Sequence, residues 1–262
     1  MKRLIVLFFA VLACCGQGVA FAIDQDARAR AQAHTELGSA YFSRGQFSVA
    51  LEELKEALKA DSRYAQAYNV LGLVNMELRE YAQAEENFRS ALGYEESNPE
   101  IHNNFGWFLC QRNRVDEAMK HFDTALKNPL YATPAKSHIN VGLCSLKKNN
   151  LEAAEDAFVR ALKLQPQSPQ ALYYLGEMAY MRKDYLEAKE YCSRLLQVAP
   201  SAPDVLWLAV RIERALGNKQ AEDRYGTQLR KSFPDSRETL ALRNNQYDFS
   251  ELSKFIGQRN NK

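Results

Sequence analysis

Glycine recurs at positions 38, 72, 106, 142 and 176, and twelve residues after each stands an alanine, at 50, 84, 118, 154 and 188. The intervals of 34, 34, 36 and 34 residues restrict the chain to an array of like units, each too short to be a domain by itself. Other columns keep the same frame. Sixteen residues after the glycines come Leu54, Phe88, Phe122, Phe158 and Cys192, and nineteen after them Ala57, Ala91, Ala125, Ala161 and Leu195. Leu37, Leu71, Phe105, Val141 and Leu175 precede the glycines, and prolines close several units at 129, 166, 200 and 234. Apolar residues fall at helical spacing, as in Ala50, Leu51, Leu54, Ala57 and Leu58, and strand signals are absent. The unit is therefore a helical hairpin.

Small residues in the glycine and alanine columns let the two helices of a hairpin approach closely where they cross. The aromatic or leucine column is expected to face the following repeat, and the late prolines help to end each hairpin. One hairpin cannot bury its own apolar face, so neighbours stack. These columns resemble the tetratricopeptide repeat. A sixth, decayed unit places Ala209, Ala221 and Tyr225 in the glycine, alanine and aromatic columns. The fold class that follows is all-α, a right-handed superhelical solenoid. Six repeats run about 31–64, 65–98, 99–134, 135–168, 169–201 and 202–235, with a capping helix and polar tail over 236–262, for which a partner-binding segment is the alternative reading.

The N-terminus carries an export signal: Lys2 and Arg3 precede an uncharged apolar run from Leu4 to Cys15, too short to span a bilayer. Two processing sites present themselves. Ala20-Phe21-Ala22 would release a soluble chain from a signal peptide covering 1–22, and Val11-Leu12-Ala13-Cys14 resembles a lipobox, which would place a lipid on Cys14. Loss of Lys2 and Arg3 cancels the formal charge of +2. A neutral chain without a basic stripe does not suit nucleic acid.

Cys110 and Cys144 fall on the first helices of adjacent repeats, where a bridge is geometrically open and an oxidising compartment would preserve it. Cys192, in the aromatic column, reads as a small buried hydrophobe. His34, His102, His121 and His138 are scattered, and no metal-ligand, nucleophile-elbow or phosphate-loop motif is present. No enzyme, cofactor, metal site or small-molecule substrate is expected.

A protein-binding groove remains, lined by the first helix of each hairpin. Positions three before, two before and one after each glycine are Thr35, Glu36 and Ser39; Asn69, Val70 and Leu73; Asn103, Asn104 and Trp107; Ile139, Asn140 and Leu143; Tyr173, Tyr174 and Glu177. Asparagine amides can bond a peptide backbone and aromatic rings supply contact area. Against this stands the plainer reading that Trp107, Tyr173 and Tyr174 pack on neighbouring repeats.

The stretch Asn103-Asn104-Phe105-Gly106-Trp107-Phe108-Leu109-Cys110, then Asn128-Pro129-Leu130-Tyr131 with Thr133-Pro134, then Asn140-Val141-Gly142-Leu143-Cys144, resembles the PilF/PilW family of type IV pilus biogenesis and stability proteins. The two extra residues between Gly106 and Gly142 fall at the Asn-Pro-Leu-Tyr segment. The resemblance implies six repeats, a disulfide from Cys110 to Cys144, and a lipoprotein on the periplasmic face of the outer membrane. It also implies a pilotin that brings the pilus secretin to that membrane, or a stabiliser of pili. A monomer is expected. The competing reading is a soluble periplasmic scaffold for another envelope assembly.

Overall fold

Helical periodicity turns into helices at the expected spacing. The structure, a computed structural model, describes residues 25–250 and 252, and every regular element among them is a helix. Helix α1 covers 25–43. Then follow α2 (Phe47–Ala60), α3 (Ala65–Glu77), α4 (Tyr81–Tyr94), α5 (Pro99–Gln111), α6 (Val115–Lys127) and α7 (Pro134–Lys147). The chain continues through α8 (Leu151–Leu164), α9 (Pro169–Met181), α10 (Tyr185–Val198), α11 (Pro203–Ala215), α12 (Lys219–Ser232) and α13 (Arg237–Arg243). The expected signal segment, with Cys14, lies outside the described residues.

Local chemistry sets the ends of these helices. A second set of prolines, at 99, 134, 169 and 203, opens α5, α7, α9 and α11, where a missing N–H costs nothing. Asn98 and Ser168 cap two of those starts, Asn98 Oδ1 accepting from the amides of Glu100 and Ile101 at 3.0 and 3.2 Å. Within each hairpin the helices join through a residue of left-handed backbone: Gly45, Arg79, Asn113, Asn149, Lys183 and Gly217, with φ from 56° to 72°. Each lies seven residues after its ladder position once the sixth unit is read from Val210.

The chain divides into two compact units, with the boundary between Asn128 and Pro129 inside the two-residue expansion. The first holds α1 to α6. Here the ladder glycines are notches for a side chain of the second helix. A Cβ on Gly72 would lie 2.7 Å from the Phe88 ring, one on Gly106 2.8 Å from Phe122, and one on Gly38 2.8 Å from Leu54. Phe88, Phe122 and Leu54 are fully buried. The aromatic column thus fills its own hairpin's glycine notch as well as meeting the next repeat, where Phe88 stacks on Phe105 with centroids 5.5 Å apart.

The second unit holds α7 to α13. Gly142 is the tightest notch, its absent Cβ 2.5 Å from Phe158. At Gly176 the aromatic column is Cys192, and Leu208 of α11 reaches toward the space, 3.1 Å from an added Cβ. The sixth repeat sits one residue later than the sequence columns suggested. Helix α11 starts 34 residues after α9, so Val210, Glu222 and Gly226 take the places assigned to Ala209, Ala221 and Tyr225. Large and small residues have exchanged helices: valine stands in the glycine column and glycine in the aromatic column. That exchange hid the register.

Helix α13 packs on α11 and α12. Thr239, fully buried, donates through Oγ1 to the Phe233 carbonyl at 2.7 Å. The cap is short, ending at Arg243, and the described residues after it are not helical. Phe255 and Ile256 lie outside the described residues.

Candidate partner-binding groove

On a helix, positions three before and one after the ladder glycine are four residues apart and share a face. In the first unit this face carries Asn69, Val70 and Leu73 on α3 and Asn103, Asn104 and Trp107 on α5. Helices α3 and α5 are in contact, and their asparagines meet as a buried amide ladder. Asn103 Nδ2 donates to Asn104 Oδ1 at 3.3 Å, Asn104 Nδ2 to Asn69 Oδ1 at 3.2 Å, and Asn69 Nδ2 to Gln66 Oε1 at 3.4 Å. The three asparagines are 0 to 5% exposed. They form a hydrogen-bonded floor, where open amides spaced along a groove had been expected. Val70 is buried beside them, while Leu73 and Trp107 keep partial exposure.

In the second unit the inner face is aromatic. Tyr174 lies flat on Phe158 of α8, with centroids 5.1 Å apart and 8° between planes, as the plainer reading of that residue expected. Tyr173 meets Tyr174 edge-on at 5.3 Å and is buried. Burial pushes its phenol pKa up, and its hydroxyl turns toward the Glu177 carboxylate. Asn140 is half-buried and, with Lys136, Ile139 and Gln170, borders an open cleft of about 560 Å³.

Two features escaped the sequence columns. His102 and His121 come together, Nδ1 to Nδ1 at 2.8 Å, while His102 Nε2 faces the Glu96 carbonyl at 2.7 Å. His102 therefore donates from Nε2 and accepts at Nδ1, and His121 donates from Nδ1. Burial, and after it the neighbouring His102, pulls His121 down to about 4. The signal was a spacing of nineteen residues, which also joins His34 to Glu53 at 2.7 Å. The second feature is a buried ion pair between Glu177 and Arg211. In the structural register both stand one after their ladder positions, and the slip in the sixth repeat concealed this.

Among the described residues no three His, Cys, Asp or Glu side chains gather where they could hold a metal ion. Glu85 and Glu117, each adjacent in sequence to a second carboxylate, Glu86 and Asp116, are held in ion pairs by Arg114, both at 2.7 Å. Cys110 and Cys144 are both disulfide-bonded. Cys192 is a free, buried thiol that burial pushes up to about 12. No described helix is long and apolar enough to cross a membrane.

Comparison with known proteins bears on the fold and the family. Tetratricopeptide-repeat models match residues 38–78, 75–128 and 145–204. The crystal structure of PilW, titled a widely conserved type IV pilus biogenesis factor, is 33% identical with a TM-score of 0.72, covering 81% of this chain and 97% of that one. The chain belongs to the PilF/PilW family. The type IV pilus assembly protein PilF of Pseudomonas aeruginosa is 28% identical over 206 residues, 79% of this chain and 82% of its own. The PilF structure from that organism gives 27% identity and a TM-score of 0.75, covering 85% and 99% of the two chains. The fold is therefore that of PilF/PilW tetratricopeptide-repeat proteins, a family of type IV pilus biogenesis factors.

Proposed function

We propose that this protein serves type IV pilus assembly without catalysis, by holding a subunit of the pilus secretin on the inner face of its repeats and promoting the secretin's arrival and multimerisation at the outer membrane. Membership of the PilF/PilW family supports the pilus role, and the amide ladder of repeats 2 and 3 is the observation that supports the groove. The ladder itself is buried, and it ties α3 to α5 so that the partly exposed side chains above it, Leu73 and Trp107, are presented together to an extended strand. Those two side chains supply apolar area beside the ladder. Asn140 and Tyr174, with Tyr173 buried beside Tyr174, offer a further, more aromatic surface in the second unit.

The lipid at Cys14 is part of the same proposal: it would fix the protein to the periplasmic face of the outer membrane. Cys110 and Cys144 are, in this reading, each other's disulfide partners. The test is complementation of a deletion strain with Trp107→Ala and Asn69→Ala variants that export normally. Loss of secretin multimers supports the groove, and wild-type multimer levels in both strains count against it. A Cys14→Ala protein that still fractionates with membranes removes the anchor.

A further inference from the structure

The chain beyond α13 folds back onto the array. After Arg243 the backbone turns through Asn245, with φ 55°, and the following residues lie over α11 and α9. The Trp207 indole stacks on Tyr247, with centroids 5.6 Å apart and 21° between planes, and its Nε1 donates to the Phe249 carbonyl at 2.8 Å. The Arg214 guanidinium sits 4.0 Å from the Tyr247 ring centre, and Arg237 sits 5.1 Å from that of Phe249. The Ser250 hydroxyl turns toward the Glu177 carboxylate, and Leu252 is fully buried.

The covered positions are groove positions. Counted from Val210, Trp207 is three before, Arg211 one after and Arg214 four after. Tyr173, Glu177 and Tyr180 hold the same places around Gly176. In repeats 2 and 3 these columns carry Asn69 and Leu73, and Asn103 and Trp107. The tail thus occupies the second unit's own version of the proposed groove, as a turn closed by the Phe249 amide donating to the Gln246 carbonyl at 3.2 Å: ring on ring, carbonyl to indole N–H, hydroxyl to carboxylate.

The floor beneath it is charged. Glu177 and Arg211 are buried as an ion pair, with one carboxylate oxygen and Arg211 Nε lacking a hydrogen-bond partner. Covering such a pair costs desolvation that an apolar floor would not incur. Lifting the tail returns that cost, so closure is opposed by the surface it covers.

We propose that residues 246–250, with Leu252, form a displaceable strap over a second peptide groove, in repeats 5 and 6, and that this groove accepts peptide segments with the strap's own chemistry. The order of that chemistry is Tyr247-Asp248-Phe249-Ser250-Glu251-Leu252: aromatic, acidic, aromatic, hydroxyl, acidic, apolar. The strap is the built-in competitor for such a partner, whatever the first unit holds. The probe is a fluorescein-labelled peptide of residues 244–256, titrated against the full chain and a Tyr247→Ala/Phe249→Ala variant by fluorescence anisotropy. The variant is expected to bind saturably and at least about tenfold more tightly than the unmodified chain, and adding Trp207→Ala should abolish binding. Equal affinity of variant and unmodified chain, or binding that survives Trp207→Ala, overturns the proposal. If the double variant fails to fold, hydrogen exchange on the unmodified chain decides the question. Amides of residues 247–250 should exchange by local opening, about a hundredfold or more faster than those of α11. Exchange of strap and α11 at one common rate would make the strap fixed core and sink the idea.

Discussion

Replacing Gly142 by alanine should cost stability, while the same change at Gly176 should cost nothing or add some. Both glycines lie in the interior of a first helix of the same unit, and alanine is worth about 1 kcal/mol over glycine there. Against that gain stands the notch. At Gly142 the new methyl would lie 2.5, 2.6 and 2.8 Å from three carbons of the Phe158 ring. That ring is fully buried and has Tyr174 flat against it, so it has nowhere to swing. Overpacking of this kind costs about 1 to 3 kcal/mol, and three ring contacts place it at the upper end. The net loss is about 2 kcal/mol. At Gly176 the nearest atom is the Leu208 Cδ2 methyl at 3.1 Å, and the nearest backbone atom, the Ala188 carbonyl, is 3.8 Å away. A shift of a few tenths of an ångström in one methyl leaves a result between neutrality and a gain of about 1 kcal/mol. Urea unfolding followed by circular dichroism reads the difference. With a slope of about 2 kcal/mol per molar, Gly142→Ala should lower the midpoint by about 1 M. Hydrogen exchange should place the loss in α7 and α8. Adding Phe158→Leu to Gly142→Ala should recover part of the loss. Equal effects at Gly142 and Gly176 would refute the notch as the reason for the glycine ladder.

The His102–His121 pair implies an acid-sensitive term. His121 falls from an ordinary value of 6.5 to about 4, so the folded state favours its neutral form. Its contribution is intact above pH 6.5 and is lost as pH falls through 4. Discounted for partial exposure, the loss is about 1 to 2 kcal/mol, measurable as the difference in pH dependence of unfolding between the wild type and His121→Gln. Lys183→Gly relieves a left-handed backbone, φ 66°, at a non-glycine residue and should raise stability by about 0.5 to 1 kcal/mol in thermal unfolding; destabilisation would contradict the turn geometry. Peptide mapping without reductant should recover Cys110 joined to Cys144. Loss of the bridge in Cys110→Ala/Cys144→Ala should cost about 2 to 4 kcal/mol, and a wild-type urea midpoint in that variant would contradict it.

Repeat number, helix order and the core columns were legible because each small or aromatic residue returned in one frame. The glycine ladder showed close approach, and the structure specifies what approaches: a ring sixteen residues on, as Phe88 does at Gly72. The sixth repeat was misread by one residue because Val210 and Gly226 reverse the sizes on which the columns depend. The groove positions were counted along single helices, and their states could not be read from one repeat at a time. Asn69 and Asn104 bond each other from different repeats, and Tyr174 is held by Phe158 of the repeat before it. The strap was invisible for a related reason. Phe249 and Leu252 read as apolar residues of a capping helix, and only the path of the backbone shows Tyr247 and Phe249 on Trp207.

The proposed function rests on contact between the first unit's inner face and the secretin. It is tested most directly by replacing Trp107 with the photo-crosslinking residue p-benzoylphenylalanine in cells that make pili, with Lys120, exposed on the second helix of the same hairpin, replaced as a control. An ultraviolet-dependent adduct is expected at position 107 that contains the secretin and is absent at position 120. An adduct at 120 with none at 107, or adducts at 107 that never contain the secretin, would contradict it.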